Sequence, residues 1–263
     1  METRSALPPV DPAGPHQSRP TDYGLYTVGA AEPLAIDLEG LDDPKTLQIL
    51  STEHWSLLAS RSMTWNESFS RTSLFLSVLS ASVVALGLVG GATSFGSEFT
   101  VFSLVLLPVT LFVGVATFVR LDEANVEDVA WVVGMNRIRN AYVRIRPAVE
   151  PFLISGWSDD SVGVGRTFVM TRQPTRANTF VHQFVTTPGM VAVIDGALAG
   201  GIAGILGASV SGAMESTIGF AVLAGVLTTG ILFLSSIRRG KRVLSAWRPR
   251  FPLPPDADHS PRL

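Results

Sequence analysis

The stretch "VIDGALAGGIAGILGASVSG", residues 193–212, decides how this chain is read. It holds six glycines, no Lys or Arg, and a single acid, Asp195. Such a run is either a phosphate-cradling loop or a membrane helix that tolerates a carboxylate. A dinucleotide loop needs a preceding strand and G-x-G-x-x-G at the turn. This stretch has neither. Its small residues fall at a period of four instead: Gly196, Gly200, Gly204, Ala208 and Gly212. They predict one groove along a helix. Ala221, Gly225 and Thr229 offer a matching strip on the next apolar segment, and small residues let helix backbones approach closely in lipid.

Working outward, three more segments share this apolar character. They are "TSLFLSVLSASVVALGLVGG" at 72–91, "FTVFSLVLLPVTLFVGVATFV" at 99–119, and the run from 218 to 237. With 190–210 that makes four, each about 20 residues, which as helix matches a hydrocarbon core of about 30 Å. They lack the polar stripe of a soluble helix and the alternation of a strand. Charged residues are only 16% of the chain, against about 25% in soluble domains. The expected fold is an all-α integral membrane protein, with four transmembrane helices as two antiparallel hairpins and long amphipathic cytosolic extensions.

Charge sets the expected orientation. The linkers 92–98 and 211–217 contain no Lys or Arg, and all 20 basic residues lie on the other side. The positive-inside rule then places both termini and the central region in the cytoplasm. The opening "METRSALPPVDPAGPHQSRP" lacks the apolar core of a signal peptide, so insertion is expected to use internal segments. With no Cys, thiolate metal sites and cysteine nucleophiles are excluded. A net charge of −2 with no basic, aromatic-interleaved pattern argues against nucleic acid.

Five regions follow. Residues 1–43 read as a disordered Pro-rich tail. Residues 44–147 form the first hairpin with its helical extensions. Residues 148–187 are a cytosolic linker, 188–238 the second hairpin, and 239–263 a basic, then Pro-rich tail. In the first extension Trp55, Leu58, Trp65 and Phe69 recur at helical spacing, with Ser62 in the gap. After the second span Trp131, Met135, Ile138, Tyr142 and Ile145 do the same. A hairpin symmetric about 94–95 sets Trp55 opposite Gly134 and Arg61 opposite Asp128. Ser73, Ser77, Ala81 and Ala85 make a small-residue strip in the first span.

The runs "LQILSTEHWSLLASRSMTWNESFSR" and "WVVGMNRIRNAYVRIRPAVEPF" resemble a family of uncharacterised bacterial integral membrane proteins, over about 46–155. The resemblance implies a membrane location and no chemistry. The two-span hairpin with a cytosolic extension is also similar in architecture to SLATT-type modules, proposed to form pores, although this chain carries an extra hairpin.

Catalytic patterns are weak. "SGWSDDSVGVGRT", 155–167, pairs Asp159 with Asp160 but lacks the lysine and glycine spacing of a P-loop. His16, His54, His182 and His259 are scattered without ligand spacing. No cofactor is expected, and the chain reads as no enzyme. The intramembrane candidates are Pro108, expected to kink its helix, and Asp195. The carboxylate lies about 7 Å in from Met190. It is expected to pair with Arg71, Arg120, Arg238 or Arg239, the alternative being a proton or cation site. Arg238, Arg239, Lys241 and Arg242 are candidates for contact with anionic headgroups. Expected partners are membrane lipid, a second copy of the chain and an unidentified cytosolic protein.

Overall fold

A computed structural model of the chain describes residues 40–168, 186–211 and 213–253. Every regular element among them is helical: α1 (Pro44–Thr93), α2 (Ser97–Ile145), a 3-10 turn (Pro147–Phe152), α3 (Ser161–Thr167), α4 (Thr187–Ser211) and α5 (Met214–Ala246). Four of these, α1, α2, α4 and α5, are long and apolar enough to cross a membrane. The expected tail over 1–39, the end of the chain from 254, Gly212, His16, His182 and His259 lie outside the described residues.

The limits of α1 follow from local chemistry. The Asp43 carboxylate accepts from the Lys45 amide at 3.1 Å, and Pro44 fits the first turn, where its missing N–H costs nothing. At the other end Ser94 and Phe95 take left-handed backbone, with φ of 48° and 56°. That is an unfavourable conformation for residues with a Cβ. The Phe95 ring sits on Gly90, where any side chain would collide with it, and meets Phe99 edge-on at 5.1 Å. The turn to α2 is therefore closed by an aromatic cluster rather than by glycine backbone.

α1 and α2, of 50 and 49 residues, are each roughly 75 Å long, more than twice what a bilayer core needs. They run alongside each other in opposite directions. Ser82 meets Thr110 at 2.8 Å, Thr64 donates to Glu127 at 3.2 Å, and Arg61 forks onto Asp128. Arg120 ties this pair together, bonding Glu127 at 2.7 Å and Glu67 at 3.0 Å. α2 in turn packs on α4, and α4 on α5. The apolar core lies where α1, α2 and α4 converge, around Phe75, Phe118, Leu121, Val191 and Leu198.

The structure corrects two faces of α1. Gly134 accommodates Leu57, not Trp55. Trp55 is 70% exposed, and Leu58 and Phe69 are also exposed. The face turned to α2 carries Arg61, Thr64 and Ser68 instead. Small and ion-pairing side chains allow the close approach, which leaves the aromatic stripe outside. Likewise Ser73, Ser77 and Ala81 are exposed, and α1 packs inside the span through Phe75 and Ser82. On α2 the stripe is inward, with Met135 and Ile138 buried.

The segments expected to be a linker and a tail are also folded where they are described. α5 runs past Arg238 to Ala246, and the chain then turns back onto α2. The Asp159 carboxylate accepts from the amides of Arg250 (2.9 Å) and Phe251 (2.7 Å) and from Arg137 Nε (2.8 Å). Asp160 accepts from the Leu253 and Gly163 amides, each at 2.8 Å, and from the Ser158 hydroxyl at 2.9 Å. The Arg144 guanidinium lies 5.2 Å over the Phe251 ring. Gly156 and Gly163 are required because a Cβ on either would strike backbone.

Candidate functional site

α4 presents two faces. Val191, Asp195 and Leu198, at helical spacing, turn to α2. Gly196 and Gly200 turn to α5, where side chains would collide with Thr229 and with the Gly225 and Ala221 carbonyls. Gly204 lies against the Ala221 methyl, and Thr229 Oγ1 donates to the Ala192 carbonyl at 3.3 Å. Ala208 is exposed, and Gly207, not singled out from the sequence, takes the next contact, against Phe220.

On the other face Asp195 is fully buried. Its space exists because residue 114 of α2 is glycine. A Cβ there would land on Asp195 Oδ1 and also crowd Phe75 Cε2 of α1. Three helices thus close around one carboxyl, and neither of its oxygens has a hydrogen-bond partner among the described residues. A charged group inside a span costs roughly 2.5–3.5 kcal/mol on insertion scales, less toward the interface.

The expected pairing with arginine is not found. Arg71 bonds Glu67 at 2.9 Å, Arg120 bonds Glu67 and Glu127, and Arg238 is exposed. Arg239 turns to α2, reaching Asp122 at 3.2 Å and Glu123 at 3.5 Å. Asp122 is itself buried and takes a short hydrogen bond from Ser236. This tie is not legible from local pattern because its partners stand more than a hundred positions apart. It removes Arg239 from the set of free headgroup contacts. Arg238, Lys241 and Arg242 remain exposed.

Pro108 does not join Asp195. It lies on the exposed side of α2, and the helix continues through it from Ser97 to Ile145. Gly114, where the carboxyl packs, is six residues further on. A separate cavity of about 1720 Å³ opens between α5, the glycine face of α4 and the lower part of α2. Gly200, Gly225, Asn125, Ser236 and Lys241 are among its lining.

Asp159 and Asp160 spend all four carboxylate oxygens on donors from the chain itself. Burial opposes the charge of Asp160, but the Gly163 and Leu253 amides and the Ser158 hydroxyl outweigh it and hold its carboxyl below the usual range. Among the described residues no cluster of His, Asp and Glu could hold a metal ion. His54 stacks near Tyr142, with centroids 6.3 Å apart. Burial, then the charge of Arg139, push its imidazole below its ordinary value.

No protein-family model, curated protein or solved structure matches this chain.

Proposed function

We propose that this chain is a non-enzymatic scaffold or signalling component of the bacterial plasma membrane. In this reading the helices form two membrane hairpins, with both termini and the lower halves of α1 and α2 in the cytosol. The distribution of basic residues supports that orientation. Four helices long and apolar enough to cross a membrane support the setting. The chain self-associates and offers its cytosolic helices to partners.

The observation that carries this reading is the exposed stripe Trp55, Leu58 and Phe69 on α1. Trp55 stands 17 residues before the apolar span begins at 72, about 25 Å along the helix axis. That is beyond the roughly 5–10 Å over which an interfacial helix face is buried in lipid. Phe69 lies at the edge of the span, but Trp55 and Leu58 are exposed apolar side chains well outside lipid, and such a patch marks an interaction surface. Oligomeric state in mild detergent and in nanodiscs tests it. The wild type should run as an oligomer, and Trp55→Glu with Leu58→Glu should shift it toward monomer at unchanged helix content. A monomeric wild type would overturn the self-association.

A second reading, a channel-like or transport component, is favoured by the unpartnered Asp195. Ion flux in liposomes, lost in Asp195→Asn, is its test.

A further inference from the structure

We propose that Asp195 is a proton-binding site, carried as the neutral carboxylic acid while α2 and α4 are packed and exchanging its proton with water when they part. The proposal rests on reading α4 as a membrane span and is independent of the scaffold reading. Three observations carry it. The side chain is fully buried between α4, Gly114 of α2 and Phe75 of α1. Both oxygens lack a partner among the described residues. Arg71, Arg120 and Arg239, the basic residues of the packed helices with described ion pairs, bond Glu67, Glu127 and Asp122 and not Asp195.

The charged groups on each packed element can be named. On α1, Arg71 and Glu67 bond each other. On α2, Arg120 is held by Glu67 and Glu127, and Asp122 is held from α5 by Ser236 and Arg239. On α5, Arg238 is exposed. None forms an ion pair with Asp195. An anion in low dielectric without counter-charge or hydrogen bonds is strongly disfavoured, and such a group neutralises instead.

The ligand is a proton rather than a metal cation. A bound cation needs several oxygen ligands, and no second acid joins Asp195 in a metal-binding group among the described residues. A proton needs only the carboxyl itself. Nor, among the described residues, does a hydrogen-bonded chain lead away from the carboxyl. The buried hydroxyls on either side of Gly114 along α2 are Thr117, bonded to the Val113 carbonyl, and Thr110, bonded to Ser82 and to the Leu106 carbonyl, and Ser103 follows Thr110 by a further seven residues, about 10 Å. Proton exchange therefore requires the α2–α4 contact to open, which couples protonation to helix packing.

Infrared spectroscopy of the full chain in liposomes tests this. Membrane insertion is first verified by resistance to alkaline extraction; loss there would sink the span reading itself. In the inserted protein at neutral pH, a carbonyl stretch of a protonated carboxyl should be present. It should shift with ¹³C-aspartate labelling and disappear in Asp195→Asn. If that variant does not fold, Gly114→Leu supplies the second arm, since its side chain evicts the carboxyl and should abolish the same band. An inserted wild type showing only ionised carboxylate at neutral pH would overturn the proposal.

Discussion

At the residue scale, Asp159 and Asp160 show how little adjacency says about chemistry. Two neighbouring acids suggest a cation, yet here each carboxylate collects amides from a chain segment about ninety positions away. Hydrogen bonds to a charged group contribute roughly 1.5–3 kcal/mol each. Asp159→Ala should therefore release residues 247–253, and trypsin should then cut after Arg250 many-fold faster than in the wild type. The acid dependence follows from Asp160. Its folded carboxyl is held below the ordinary value of about 3.9, so the unfolded chain binds its proton first. The stabilisation is complete above that ordinary value and is lost as pH falls through the lower folded value. Resistance to an acid-stable protease should persist at pH 5 and fail in stronger acid, and Asp160→Asn should weaken it at pH 5 and remove the acid step.

At the scale of elements, the length of the apolar runs marked four helices, periodicity carried the first two beyond the membrane core, and the start of α1 follows from Asp43 and Pro44. The Arg61–Asp128 register was readable because charge and spacing agreed. Which face of α1 packs was not readable. The aromatic stripe and the Arg61–Thr64–Ser68 face lie on the same helix, and only the partner decides between them. α2 chose the polar face because its own Asp128 and Glu127 needed donors. The neighbours of Asp195 were hidden for a similar reason: Gly114 looks like any glycine of an apolar run until α4 lies against it.

The same α1–α2 pairing carries a pH prediction through His54. Its folded imidazole titrates below the ordinary value of about 6.5, so the neutral form favours the packed helices and the unfolded chain takes up the proton first. The contribution is complete above about pH 6.5 and declines as pH falls toward the lower folded value. The protection of amides over 44–60, taken relative to the base-catalysed exchange rate of free amides at each pH, should fall in that window, and His54→Gln should remove the step. An unchanged step in that variant would reassign it to another group.

For the whole molecule, orientation is the consequence most open to measurement. The chain has no native cysteine, so one introduced at Ser97, at the start of α2 beyond the first turn, reports alone. With both termini inside, an impermeant maleimide should label it on intact cells. Labelling only after lysis would reverse the topology and move the aromatic stripe outside the cell.

The docking of residues 247–253 has a mechanical side. α5 is bolted to α2 directly at Asp122, by Ser236 and Arg239, and a second time past its end, where residues 250–253 bond Asp159 and Asp160 and Arg137 of α2 bonds Asp159. A bar fixed at two points along a second bar cannot swing about one of them without loading the other. Tilting of α5 among the spans is thus geared to the foot of α2, next to the loop that holds Asn136 and Ser158 together. Tension or thinning in the bilayer would register as a torque some distance into the water.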